Sequence, residues 1–153
     1  MDHFDQQIIA ALQRDGSLSQ RALAEQVGLS QNACWRRVQR LNESGVLRGT
    51  TARIAAKALG LDLTVFMMVR TRHHNAEWAR NFRQRVEAIP EIVELHRIGG
   101  DWDYLLKIVT TGMSGYDRVY QTLIASVDLE KVTGFFSMET ILEGRPLPAP
   151  GPR

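Results

Sequence analysis

The chain has 153 residues, a single cysteine and a formal charge of +2 at pH 7. That length holds one medium domain or two small ones, and 44% hydrophobic with 24% charged residues is an ordinary globular balance. An internal disulfide is excluded, and with no signal peptide or membrane-length apolar run we expect a cytoplasmic protein that makes no use of the membrane. The charge is uneven. Residues 1–60 carry 8 Lys/Arg against 5 Asp/Glu, and residues 61–153 carry 11 against 12. The first part is therefore +3 and the second −1, which places any polyanion partner with the first.

In chain order, Phe4, Ile8, Ala11 and Leu12 repeat at helical spacing, with Asp2 as a cap and Asp15-Gly16 as the stop. Ser19 caps a short helix through Val27, and Leu18 can staple onto Leu23. Gly28-Leu29 turns the chain, and Ser30 caps a further helix. Two capped helices joined by such a turn read as a helix-turn-helix. At about 100° per residue, Cys34, Val38 and Leu41 form the inner stripe of the second helix. Asn32, Arg36 and Gln39 point away from that stripe, with Trp35 and Arg40 on the flanks. No acid occurs between Gln26 and Asn42.

Asn and Gln can pair with adenine edges, and Arg with guanine, in the major groove of double-stranded DNA. Arg37 sits nearer the core boundary, where a phosphate contact or a local ion pair is expected. Val46–Ile54 reads as a short β wing carrying Arg48 and Arg53. The expected DNA-contacting set is Ser30, Gln31, Asn32, Trp35, Arg36, Arg37, Gln39, Arg40, Arg48 and Arg53. Cys34, on the inner stripe, is expected to be a small core residue.

The first domain is taken as residues 1–54, followed by a small-residue linker, 55–61. Residues 62–144 read as strand (Thr64–Arg72), helix, strand (Ile92–Ile98), tight loop, strand (Tyr104–Thr110), helix and strand (Val132–Leu142). This βαββαβ order is the ferredoxin-like split, so the whole chain is α+β. Asn75 is expected to cap the first of these helices, with Trp78, Phe82, Val86 and Ile89 inward. Ser114 is expected to cap the second, with Tyr116, Val119, Tyr120, Leu123 and Ile124 inward. Phe66, Met68, Leu105, Lys107 and Val109 leave the open face of the sheet partly apolar, so we expect it to pack on a second copy of the chain. Residues 145–153, Pro-rich, are expected to be an extended tail rather than a domain.

In Asp15-Gly16, Val27-Gly28-Leu29-Ser30 with Cys34, and Arg36-Arg37-Val38-Gln39-Arg40-Leu41 with Gly45, the first half resembles the Lrp/AsnC family of feast-or-famine transcription regulators. In the second half, Gly100-Asp101-Trp102-Asp103-Tyr104-Leu105-Leu106-Lys107, then Met113, Tyr116 and Ser137-Met138-Glu139, carry the same resemblance. It implies a winged helix-turn-helix followed by a regulator-of-amino-acid-metabolism domain. It further implies homodimers that often assemble into octamers, bend DNA in the nucleoid, and bind an amino-acid effector where dimers meet. The matching effector positions are Gly100, Asp101, Trp102 and Asp103 in the loop, with Phe135 and Ser137 on the last strand. Chemically the loop suits a zwitterion, since glycine amides can approach a carboxylate and an aspartate can take an ammonium group. The same residues serve equally well as a hairpin turn closed by Asp103. The chain departs from the family pattern at Gln31-Asn32-Ala33, Thr50 and Gly112, and Phe135 makes the implied pocket bulkier and more apolar.

Two rival classes of protein fit the sequence less well. A packaging protein would coat DNA through lysines, but residues 1–60 contain only Lys57. An enzyme would need a catalytic constellation, and His3, His73, His74 and His96 stand at no recognisable ligand spacing. No enzyme activity, cofactor or metal is expected.

Overall fold

Two separate hydrophobic cores organise the computed structural model, which describes residues 1–148. The first unit comprises residues 1–53 together with a segment that begins at Ile141, and the second comprises Ile54–Thr140.

In the first unit, α1 (His3–Arg14), α2 (Gln20–Val27) and α3 (Gln31–Glu43) enclose Ile8, Ala11, Leu23, Ala24, Val27, Cys34, Val38 and Leu41. Each helix starts where a short polar side chain can accept a backbone N–H. Asp2 accepts from Asp5, Ser19 from Ala22 and Ser30 from Ala33. Leu18 and Leu29, each just ahead of a cap, pack against this core. Phe4 departs from the expected stripe: it is 37% exposed and lies under the Arg37 guanidinium, 5.4 Å from its ring centre. The wing expected over Val46–Ile54 does not form a strand. After the Leu47 N–H, which donates to the Leu41 carbonyl, residues 48–54 make no backbone–backbone hydrogen bond among the described residues. A strand needs a ladder partner, and none lies alongside.

The second unit opens with a 3₁₀ turn, Ala56–Leu59, where the linker was expected. It continues as β1 (Leu63–Arg70), α4 (Ala76–Glu87), β2 (Ile92–Arg97), β3 (Tyr104–Thr110), α5 (Gly112–Ser126) and β4 (Lys131–Phe136). The sheet is antiparallel in the order β2-β3-β1-β4, the ferredoxin-like arrangement. Alternation sends Val65, Met67, Val69, Leu106 and Ile108 to one face, where Phe82 and Val86 of α4 and Val119 and Leu123 of α5 cover them.

Three expectations need correction here. Ser114 does not cap α5, which begins two residues earlier. The Gly112 N–H is satisfied by the Asp62 carboxylate at 2.9 Å, a cap supplied from across the fold. Ile124 is 39% exposed, because the inward stripe follows Gly115, Val119 and Leu123 at four-residue spacing. β4 ends at Phe136 rather than Leu142. One further bond, from the Ser137 N–H to the Thr64 carbonyl, precedes the return of the chain to the first unit. Residues 145–148 have no regular secondary structure, and the expectation for the tail beyond Pro148 lies outside the described residues.

Candidate DNA-reading helix and effector loop

On α3 the buried side is Cys34, Val38 and Leu41, and burial pushes the Cys34 thiol pKa up. Gln31, Asn32, Trp35, Arg36 and Arg40 are exposed, while Gln39 and Arg37 are half-buried. The arginines divide into two kinds. Arg37 reaches both Asp2 (2.7 Å) and Asp5 (2.8 Å), and Arg40 donates to both oxygens of Asp5 at 2.8 and 2.9 Å. Arg36 makes no ion pair among the described residues, so its fork remains available.

Asp2 and Asp5 also hold each other's backbone N–H groups, each at 3.0 Å, as a capping box. Burial of Asp5 favours its neutral form. The Asp2 N–H and the Arg37 and Arg40 guanidinia outweigh it, so its pKa falls below the ordinary aspartate range. Asp2 is lowered by the Asp5 N–H and then by Arg37, and Arg37 is raised in return. For Arg37 this is the local ion pair, one of its two expected roles; the identity of its acids and the part of Arg40 are what the sequence reading missed. The signal was present, since Asp5 shares the apolar face of Ile8 and Leu12, and a buried acid needs a cation.

Arg48 is exposed, whereas Arg53 Nη2 donates to the Glu143 carbonyl at 3.1 Å.

In the second unit, the β2–β3 loop turns through Gly100 at φ 109°, a conformation that favours glycine. The loop is closed by the Ile98 N–H donating to the Asp103 carbonyl at 2.9 Å. The Asp103 carboxylate accepts from the Thr71 N–H at 2.8 Å, and His74 Nδ1 stands 3.9 Å away. Asp103 thus has a structural partner, while Asp101 is exposed with no polar partner among the described residues. Trp102 is half-buried, with Lys131 Nζ 5.3 Å from its ring centre. A cleft of about 240 Å³ is lined by His73, His74, Asn75, Arg97 and Asp103, of which Asp103 alone is an expected effector position. His73 turns to Asp128 (2.8 Å) and His74 towards Asp103, so the two rings diverge as expected.

Phe135 and Ser137 lie elsewhere. The loop sits where Val69 pairs with Tyr104 and Arg70 with Lys131, whereas Ser137 meets Thr64 at the other end of β1. Ser137 is six steps along the chain from Lys131, roughly 20 Å at about 3.3 Å per residue. Within one chain the six expected effector residues do not converge.

The open face of the sheet carries Phe66, Met68, Leu105, Val109 and Phe135, with Phe66 and Phe135 cross-strand neighbours at 37% and 55% exposure. Its polar patch is Glu94, bonded to His96 (3.2 Å) and Lys107 (3.3 Å). His96 and Lys107 together lower the Glu94 pKa against the effect of burial.

A helix-turn-helix with an open reading face, joined to a ferredoxin-like unit with a bare sheet, defines a two-unit DNA-binding regulator. Comparison with known proteins agrees along both units. Residues 1–42 match the AsnC-type helix-turn-helix domain, and residues 64–147 match the Lrp/AsnC ligand binding domain. The chain belongs to the Lrp/AsnC family of transcriptional regulators, which is not a family of enzymes. It is 40% identical to a glutamate uptake regulatory protein of Zymomonas mobilis over 98% of this chain and 92% of that one. It is 39% identical to the DNA-binding transcriptional activator DecR of Escherichia coli over 97% and 98%. Among solved structures it resembles an AsnC family transcriptional regulator from Agrobacterium tumefaciens, with a TM-score of 0.92, 39% identity and 97% coverage of both chains. It also resembles a transcriptional regulator from Neisseria meningitidis solved in complex with L-Met, with a TM-score of 0.90, 28% identity and 97% and 96% coverage.

Proposed function

We propose that this regulator reads double-stranded DNA with Asn32, Trp35, Arg36 and Gln39 of α3. Ser30, Gln31, Arg40 and Arg48 then serve as backbone contacts. The observation that carries this reading is the division of the arginines. Arg37 and Arg40 are tied to α1, and they brace the helix that presents Arg36. Arg40 remains 61% exposed and has donors to spare for a phosphate. A face of Asn, Gln and Arg can discriminate bases, which favours regulation over packaging.

The second part of the proposal is that the protein acts as a homodimer, joined through the open sheet faces. Dimers assemble further, and an amino acid or close metabolite binds between copies. The separation of the loop from Phe135 and Ser137 supports this arrangement, because a neighbouring copy can bring its strand end to the loop. The L-Met complex of the Neisseria relative supports an amino acid as the ligand class. Such a regulator works at the chromosome, so we place it with the nucleoid in the cytoplasm.

The test is footprinting on DNA upstream of its own and neighbouring genes, with each proteinogenic amino acid in turn, alongside light scattering for mass. A protected site whose extent changes with one amino acid is expected. Protection that no amino acid alters would remove the effector, and no binding at low salt would remove the DNA reading.

A further inference from the structure

The arm formed by residues 46–53 has no β partner among the described residues, yet it is not bare. A groove of about 690 Å³ opens in the first unit among Ile9, Leu12, Val38 and Leu47, and Leu147 and Pro148 line it too. Gln13, in the last turn of α1, holds Leu147 as a strand would. Its Nε2 donates to the Leu147 carbonyl at 3.2 Å, and its Oε1 accepts from the Leu147 N–H at 2.6 Å. At the other end of the segment, Arg53 donates to the Glu143 carbonyl. Gly144 lies against that guanidinium at φ 58°, and a Cβ there would collide with Arg53. The left-handed backbone favours glycine, and a side chain there would have to push the Arg53 guanidinium off its contact.

We propose that this groove is the docking site for the chain's own segment Glu143–Pro148, and that this strap replaces the missing second strand of the wing. By pinning the arm at Arg53 and closing the groove at Leu147, it holds Arg48 in its working position. The extended Arg145-Pro146-Leu147-Pro148 suits the task. Two prolines restrict the unbound chain, so docking costs little entropy, and Leu147 between them supplies the one backbone N–H and C=O that Gln13 takes. The strap begins at Glu143, seven residues after Phe136 ends β4, and belongs to the same unit as α1, α2 and α3.

The statement about Arg48 rests on the DNA reading above; the docking itself does not. Two measurements on the full-length chain keep them apart, with Gln13→Ala and Gly144→Val as variants. Ala is a better helix former than Gln, so α1 survives the first change. Unchanged circular dichroism and melting of both variants is the control for folding.

The first measurement is the rate of trypsin cleavage after Arg48 and Arg53, followed by mass. Both variants are expected to be nicked there roughly fivefold to tenfold faster than the parent, as loss of the Gln13 pair or of the Arg53 contact frees the arm. The second is affinity for a genomic DNA fragment over a salt series. A loss of roughly threefold to tenfold is expected, with a shallower salt slope. Unchanged cleavage would overturn docking, whether or not the protein binds DNA. Faster cleavage with unchanged or tighter DNA binding would overturn the positioning role.

Discussion

The two candidate sites are built in opposite ways. The reading helix is complete within one chain: its inner stripe, cap and bracing acids all lie in residues 1–53. The proposed effector positions are divided between two ends of one sheet, and among the described residues they do not meet in a pocket. The contrast teaches that the proposed DNA contact needs only the surface of one chain, whereas the proposed ligand binding is expected to depend on assembly.

The largest effect is expected on assembly. Phe66→Glu places a charge on an inner strand of the apolar face and should weaken self-association by about 2–4 kcal/mol, as loss of a central aromatic anchor does. Sedimentation would show lighter species with a folded spectrum, and amino-acid binding should fall with the mass. Full ligand binding by a monomer would erase the contrast.

Next comes the bracing of α3. Asp5→Ala removes the buried acid from two arginines and should cost about 2–3 kcal/mol of unfolding free energy. That lies below the usual cost for a wholly buried pair, because Arg40 is 61% exposed. The pH dependence follows from the same groups. Asp2 and Asp5 have folded pKa values below the ordinary aspartate range. Their contribution is therefore present above that range and lost as the pH falls through the lowered values. Melting of the first unit should drop on acidification, and Asp5→Asn should flatten the drop. An unchanged slope would remove Asp5 from the account.

Arg36→Ala should cost about 1–3 kcal/mol on a selected site and relax its sequence preference, with melting unchanged. Arg37→Ala should do the reverse, lowering the melting temperature through its lost bonds to Asp2 and Asp5. Identical behaviour of the two variants would abolish the division between reading and bracing arginines.

The smallest effect concerns Trp35, a large apolar side chain that is 50% exposed among polar neighbours on α3. Apolar groups at this place can read the thymine methyl. Replacing single thymines with uracil in a selected site should cost the parent about 0.8 kcal/mol at one position, the value of a buried methylene. Trp35→Ala should be indifferent to that replacement. Equal sensitivity in both would assign Trp35 to another contact.

Much of this was legible because it is local. Capping by Asp2, Ser19, Ser30 and Asn75 depends on a donor no more than three residues away, so residue type and spacing suffice. The inner stripes of α3 and α4 follow from the helical period, and the strand order from alternating apolar runs broken by Gly99-Gly100 and Pro90. Residue type and helical period also place Asn32, Arg36 and Gln39, the proposed reading face, opposite Cys34, Val38 and Leu41 whatever the rest of the fold does.

Tertiary structure decided what depends on distant partners. α5 begins at Gly112 because Asp62 receives its amide, and no local pattern encodes that cap. Arg37 braces α3 because α1 brings Asp2 and Asp5 beside it from more than thirty residues away. The wing fails as a strand because a strand needs a neighbour for its hydrogen bonds, and the chain brings residues 143–148 to the same unit instead. Short-range order is determined by backbone geometry and side-chain chemistry that each residue carries with it. The destination of a carboxylate, a guanidinium or an unpaired strand is settled only when folding brings its partner within bonding distance.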